Sequence, residues 1–379
     1  MNPTTRRSRL SIAAAVALSL AFAANNSATA ATKKTTKPAA KKTSKVVATT
    51  PPATAAPTPT TVAAAAPTTI AAVKAIDTSK FSGKTLRVMA PAAPGGGWDS
   101  TSRAMQRIMQ EGDIRKRVDV FNVAGAGGTI GLSQLVAQES GKGDILMTMG
   151  LVMVGAIETN KPPANLDRRF VTPIARLTAE DEIIVVPADS KYKTLADLIK
   201  DLQADPGSVS IAGGSAGGTD HVLAGLLAKT VGADPKRINY IAFSGGGQAL
   251  AALLGGKVSA GISGVGEFAP QIKDGKLRAL ATSGDKRVPD LTNVPTIKET
   301  GVKLELQNWR GVVAPAGISA AEQAELLDTV RALYQSPTWK AELKKQNWDD
   351  VYLDGPAFRT FLDAEEVRIR GVLRDIGLA

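Results

Sequence analysis

The feature that most constrains this chain is a repeated alternation. Short apolar runs give way, through glycine-rich turns, to amphipathic stretches of helical spacing. TLRVMA (Thr85 to Ala90) reads as a strand, and PGGGWDS (Pro94 to Ser100) as the turn into a helix over 100–110 with Ala104, Met105, Ile108 and Met109 on one face. Further strands are predicted over 118–122, 144–149, 183–187, 209–212, 239–243, 258–263, 277–282 and 311–314. Helices are predicted over 129–138, 195–204 and 219–230, with another closing at Gly255 and two or three at the C-terminus. This succession implies an α/β fold of parallel sheets covered on both faces, and 379 residues favour two domains. No repeat of solenoid period interrupts it.

The N-terminus is different in kind. Arg6, Arg7 and Arg9 precede an apolar run from Leu10 to Ala24, and Ala28-Thr29-Ala30 supplies a small-x-small pattern, so residues 1–30 read as a secretory signal peptide cleaved after Ala30. The run is short for a membrane span. TRRS (Thr5 to Ser8) is similar to a twin-arginine signal with Arg9 where an apolar residue belongs, which leaves both export routes open. Residues 31–80 are rich in Ala, Thr, Pro and Lys and lack the apolar bulk to offset ordering entropy, so they are expected to form a disordered tether. Ten of the 46 Lys and Arg, and none of the 35 Asp and Glu, fall in residues 1–76. The remainder therefore holds 36 basic against 35 acidic residues, which removes the case for a nucleic-acid partner despite the net charge of +11. The chain has no Cys, so neither a lipoprotein anchor nor a disulfide framework is available.

Glycine-rich turns at strand C-termini are where open α/β sheets bind ligands. Three glycines allow close approach of backbone N–H groups, and the following helix adds its positive end, so the natural guest is an anion. Asp99 is expected to cap the helix by accepting from Thr101 or Ser102, leaving the backbone of Gly95, Gly96, Gly97 and Trp98 to the ligand. The same construction recurs at Gly213 to Thr219, Ser244 to Gly247 and Gly264 to Gly266, which suggests a lined cleft. GGSAG around Ser215 also fits a nucleophile elbow, and a secreted serine hydrolase is the competing reading. Its only possible base, His221, lies inside the next helix. AGAGGTIG (Ala124 to Gly131) puts Ile130 at the third glycine of a dinucleotide fingerprint, no phosphate-binding P-loop occurs, and one His without Cys gives no transition-metal set. Taken alone, Trp98 reads as a core or interface residue and Arg310 as a surface ion-pair partner.

The stretches APAAPGGGWDSTSRA, NVAGAGGTIGLSQL, GGSAGGTDHVLAGLLAK, NYIAFSGGGQALAALLGGKVSAGISGVGEFAPQIKDGKLRALA and NWRGVVAPAGIS together resemble the solute receptors of tripartite tricarboxylate transporters, the Bug family, over residues 83–379. The resemblance implies a two-lobed, type II Venus-flytrap fold, with lobe 1 over 83–187 plus 305–379 and lobe 2 over 188–304. It implies no catalysis, cofactor or metal. The expected partners are a small carboxylate, most simply a tricarboxylate such as citrate or a dicarboxylate, and the large and small permease subunits, served by a monomeric receptor in the periplasm or outer cell envelope. A receptor that presents its ligand to a sensor kinase is the alternative within the same fold. By position, Gly95, Gly96, Gly97, Trp98 and Asp99 would form one arm of the site, and Ser215, Gly217, Gly218 and Thr219 the other. Gly127, Gly128, Met149, Gly150, Phe243, Ser244, Gly245, Gly246, Ser263 and Gly264 would line the cleft, and Arg310 would grip a further carboxylate. Asp220, beside His221, is the one position in the second arm whose contact with ligand the resemblance does not support.

Overall fold

The computed structural model describes residues 76–243 and 245–379. The signal-peptide expectation, most of the tether and Ser244 lie outside the described residues. At the tether's end, Asp77 accepts from the Ser79 N–H to cap a turn over Thr78–Lys80, and Arg115 lies over the Phe81 ring.

Ten strands alternate with ten α-helices among the described residues. In chain order they are β1 (Leu86–Ala90), α1 (Gly97–Glu111), β2 (Val118–Asn122), α2 (Thr129–Glu139), β3 (Ile145–Gly150), α3 (Leu151–Asn160) and β4 (Val171–Pro187). Then follow α4 (Leu195–Ala204), β5 (Ser210–Gly213), α5 (Thr219–Thr230), β6 (Asn239–Ala242), α6 (Gly246–Leu254), β7 (Ala260–Gly264), α7 (Val265–Lys273) and β8 (Leu277–Thr282). The chain ends with β9 (Gln307–Pro315), α8 (Ala320–Gln335), α9 (Pro337–Gln346), β10 (Asp349–Asp354) and α10 (Gly355–Asp375).

The strands run in the order β2-β1-β3-β9-β4-β7-β5-β6, with β8 and β10 also paired to β4. The pairs β1–β2, β1–β3, β5–β6 and β5–β7 are parallel, as a βαβ succession requires. Every pair made by β4 is antiparallel, as is β3–β9, so the parallel-rich sheet is mixed at the centre of the molecule.

β4 is the organising element. Residues 171–181 pair with β9, and from Glu182 onward the strand pairs with β7 and β8. One continuous strand thus belongs to both halves, changing partners between Asp181 and Glu182, whereas the expected lobe boundary falls at its end, Pro187. The strand begins at Val171, not Ile183. Pro173, which cannot donate to a ladder, is accommodated at a register shift between Pro173 and Ala175, and such interruptions hide the strand from an alternation test. α3, α7 and β10 were also not expected.

The largest fully buried side chains are Trp339, Phe268 and Phe358. One apolar cluster runs through both halves, joining Ile145, Met149 and Trp309 to Ile184, Val222 and Leu280. α10 packs on α3 and on α5. Its end is tied to α5 by the Lys229–Asp375 ion pair, and a Cβ on Gly225 would collide with Ile376.

Side chains alternate across a strand, so Glu180 and Glu182 share one face of β4 and Asp181 takes the other. On its face Asp181 accepts from Gln307 Nε2 at 3.0 Å, and Gln307 also donates to Asp349. Burial first, and then the charges of Asp349, Asp285 and Glu305, push the Asp181 carboxyl up to about 7 against that hydrogen bond. The folded chain therefore keeps a proton that the unfolded chain releases near pH 4, so this group's contribution falls as pH rises from about 4 to about 7, with a slope of up to about 1.4 kcal/mol per unit. Asp181→Asn removes that fall. Urea unfolding from pH 5 to 8 is expected to show the variant gaining on the parent as pH rises; parallel profiles would mean Asp181 does not hold the proton.

Candidate functional site

The first glycine turn enters the helix itself. α1 starts at Gly97 with Gly96 as its N-cap (φ −77°), and Gly95 alone of the three sits at positive φ, +86°, where a side chain is strained. The expected capping by Asp99 is corrected. Asp99 lies inside the first turn and its carboxylate reaches backward, accepting from the Gly95 N–H at 2.8 Å, Arg103 Nε at 2.9 Å and Asn122 Nδ2 at 2.9 Å. The Thr101 and Ser102 hydroxyls donate to the carbonyls of Gly97 and Trp98. Burial opposes the Asp99 charge, but the bonds from Arg103, Gly95 and Asn122 hold its carboxyl below the usual range. Asp99 thus fixes the loop while the first helical N–H groups, those of Gly97, Trp98 and Asp99, have no intrahelical acceptor. The Trp98 ring is buried; a Cβ on Gly128, at φ +87°, would stand 2.6 Å from it, so only glycine fits beneath that ring.

Directly below Gly97 lies Arg310, the central residue of the site. A Cβ on Gly97 would fall 2.8 Å from the guanidinium carbon. Arg310 is 3% exposed, forms an ion pair with Glu180 through Nη2, stacks over the Trp348 ring at 5.6 Å, and leaves Nη1 without an acceptor. Neither the surface reading of Arg310 nor an uncommitted guanidinium describes it. It is a buried partner of a carboxylate from the neighbouring strand, since Glu180 lies opposite Asn308 and Thr178 opposite Arg310 in the β4–β9 ladder.

The turns of the second half reach the same stretch of β4. Gly264, N-cap of α7, lies opposite Glu182 in the β4–β7 ladder, and a Cβ there would stand 2.7 Å from Glu180 Oε1. Glu267, in the first turn of α7, accepts from Ser263 Oγ at 3.2 Å and from the Gly246 N–H. The residue is exposed as a whole, but desolvation of its carboxyl group first, and then the Glu180 charge, hold that carboxyl above the usual range. At the α5 turn, the Gly214 N–H donates to Asp220. Glu182 is fully buried, and neither of its carboxyl oxygens finds a hydrogen-bond partner among the described residues. Burial first, then the charges of Asp220, Glu180 and Glu267, hold Glu182 well above its ordinary range, while burial lifts Asp220 to about 7.

The other expected residues fall into three groups. Ser215, Gly217, Gly218 and Thr219 form the α5 turn, which leans on α3: a Cβ on Gly155 would collide with the Gly217 carbonyl, and one on Gly218 would stand 3.6 Å from Val152. His221 accepts the Gly217 N–H on Nδ1 at 3.2 Å, stacks on Tyr240 at 4.0 Å, and is held neutral by burial, which pulls it down to about 4. No hydrogen bond joins it to Ser215 among the described residues. Gly150 abuts the Trp309 carbonyl and the Trp98 ring nitrogen, Gly127 lies on Ala156, and Met149 is fully buried. Gly245 and Gly246 open α6, and Phe243 is half-buried against the core beneath it.

Sequence reasoning missed Glu180, Glu182 and Glu267 and gave no weight to Asp220. The available signal was TAEDEIIVVP, three successive acids entering an apolar strand, which burial rules forbid unless the acids are paired, protonated or used. No group of three or more His, Asp or Glu among the described residues is placed to hold a metal ion, and no helix among them is long and apolar enough to cross a membrane.

Comparison with known proteins accords with this architecture. The model of the tripartite tricarboxylate transporter family receptor matches residues 103–378, and the chain belongs to that family of solute-binding receptors. Protein BugT of Bordetella pertussis is 29% identical over 305 residues, 80% of this chain and 92% of its own. MatC from Rhodopseudomonas palustris, solved with bound malate, is 24% identical, with a TM-score of 0.64 over 76% of this chain and 98% of its own. An R. palustris protein solved with adipate is 22% identical, with a TM-score of 0.67 over 77% and 97%. These structures establish the two-lobed periplasmic-binding fold, with its parallel-rich halves joined through β4.

Removing one partner of a buried ion pair leaves an uncompensated charge and costs about 3–5 kcal/mol. Arg310→Ala is expected to lose that much in urea unfolding, and Arg310→Met combined with Glu180→Gln to regain most of it. A loss below about 1 kcal/mol for Arg310→Ala would place the pair among exposed ones.

Proposed function

We propose that this receptor, exported from the cytoplasm, captures a small carboxylate in the cleft between its lobes and delivers it to the large and small permease subunits of a tripartite tricarboxylate transporter. The observation that carries this reading is convergence. The N-termini of α1 and α7 reach residues 180–182 of β4, through Arg310 and Glu180 and through Gly264, and the charge of Asp220 in the first turn of α5 acts on Glu182. Helix N-termini offer N–H donors and a positive dipole end, and Arg310, whose guanidinium lies beneath Gly97, keeps a buried Nη1 without an acceptor. The relatives solved with malate and with adipate support a carboxylate ligand.

The charge of the site argues against citrate as the cargo. Arg310 is already matched by Glu180, and Glu267 and Asp220 stand close by, so a third ligand carboxylate would enter a surrounding of like charge. One or two carboxylates suit the site better. Capture requires the lobes to close on β4, and the contact of the α5 turn with α3 is the interlobe contact that closure tightens.

Gly96 offers a clean test. A Cβ there meets only the Ala93 carbonyl at 3.5 Å and the Ala92 methyl at 3.9 Å, at a φ any residue adopts, so the fold tolerates a side chain that screens the α1 N-terminus. Calorimetry against mono-, di- and tricarboxylates is expected to find binding of a mono- or dicarboxylate, weaker binding of citrate, and at least a tenfold loss in Gly96→Val at an unchanged melting temperature. Gly96→Val binding like the parent would remove the α1 turn from the site.

A further inference from the structure

α10 is held by both halves of the molecule, by different means along its length. Its 21 residues span about 30 Å. Over most of that length it belongs to the half built on β1–β3 and β9. Arg359 Nη1 donates to the Leu166 carbonyl at 2.7 Å, Glu365 accepts from Trp309 Nε1 at 2.8 Å, and Arg370 donates through Nε and Nη2 to Glu158 of α3 at 2.9 and 2.7 Å. Its end belongs to the other half. Gly377, at φ +79°, closes the helix in a left-handed cap: its N–H donates to the Arg374 carbonyl at 3.1 Å, and that of Leu378 to the Leu373 carbonyl at 2.7 Å. Beside this cap the buried Ile376 fills the space that a Cβ on Gly225 of α5 would need, and a Cβ on Gly377 would stand 3.6 Å from Lys236, just before β6. Glycine inside a helix is unfavourable relative to alanine, and at 225 it is what admits Ile376. The exposed Lys229–Asp375 ion pair adds little to this apolar seat.

α3 and α5 meet alongside this helix. A Cβ on Gly155 of α3 would collide with the Gly217 carbonyl and stand 3.9 Å from Ile369 of α10, and one on Gly217 would fall 2.6 Å from Thr159. From this three-helix junction we infer that α10 is a brace between the lobes: seated through Ile376 in the Gly225 notch, it keeps the α5 turn against α3, so that much of lobe closure is made before any cargo arrives. The inference concerns the lobes and not the chemistry of the cargo. With α10 fixed to Glu158 and Trp309, rotation of one lobe about the β4 crossing draws Ile376 off α5 and returns a buried side chain to water. The brace therefore weights the ligand-free ensemble toward the closed arrangement. Affinity follows, because an apparent dissociation constant is the intrinsic one divided by the fraction of molecules already competent to bind.

Gly225→Ala separates the brace from the helix that receives it. Alanine favours α5 locally, while its methyl displaces Ile376, whose branched Cβ leaves it little room to swing clear. Parent and variant mature chains are compared by small-angle scattering without ligand and saturated with the tightest-binding acid of the panel above, and calorimetry gives the affinities. The expected result is a parent whose radius of gyration is nearly the same in both states and a variant that is larger only when ligand-free. The variant is also expected to bind at least fivefold more weakly at unchanged helical circular dichroism. Ligand-free profiles that superimpose for parent and variant overturn the inference, as does a parent that contracts on binding as much as the variant does. A more open variant that binds as tightly as the parent, or more tightly, overturns the role of the brace in capture. Should Gly225→Ala fail to fold, Ile376→Ser is judged by the same outcomes. If no acid of the panel binds, the carboxylate reading falls, and the ligand-free profiles alone decide whether α10 braces the lobes.

Discussion

The Arg310–Glu180 ion pair is the contact on which the rest of the site depends. It joins β9 to β4 at the last residues before β4 changes partners, it lies beneath the first turn of α1, and its carboxylate abuts the N-cap of α7. A buried pair of this kind is weak evidence for stability, because removing two charges from water costs about as much as their attraction returns. Its value here is geometric. Gly97 must be glycine because Arg310 occupies the space of its Cβ, and Gly264 must be glycine because Glu180 occupies the space of its own. Two of the glycine turns are therefore shaped from within by a salt bridge and not solely by close approach to a ligand.

The same pair explains how β4 tolerates three successive acids. Glu180 takes a guanidinium, Asp181 turns to Gln307 on the opposite face, and Glu182 is held well above the ordinary carboxyl range by burial and by the neighbouring charges of Asp220, Glu180 and Glu267. The first two partners both come from β9, and Gln307 carries the contact on to Asp349 of β10 at the point where the chain passes between halves.

Much of this fold was legible in the sequence, for local reasons. α4, α5, β2 and β8 fall where the apolar periodicity puts them, to the residue, because each is bounded by strong turn or cap signals such as Thr194 with Asp197 before α4. β4 was half missed because proline, arginine and acids break its alternation. Its antiparallel pairs were missed because they come from β9 and β10, far along the chain, and no local pattern encodes which distant strand returns to the centre. The glycine turns stood out as candidate backbone sites, yet the acids among them did not. Their importance lies in being brought together by β4, α5 and α7, a tertiary fact. Asp99 shows the same limit at short range: it was expected to cap the N–H groups ahead of it, but its partners are Gly95, Arg103 and Asn122.

The central claim is that backbone N–H groups at the start of α1, above Arg310, receive the carboxylate of the cargo. Amide chemical shifts of the isotopically labelled mature chain, followed while the tightest-binding small carboxylate is added, test this at single residues. The account predicts that the amides of Gly97 and Trp98 move downfield in saturable fashion, together with the Arg310 guanidinium protons, at the dissociation constant found by calorimetry. Saturable binding that leaves those amides in place while shifting residues elsewhere would contradict it.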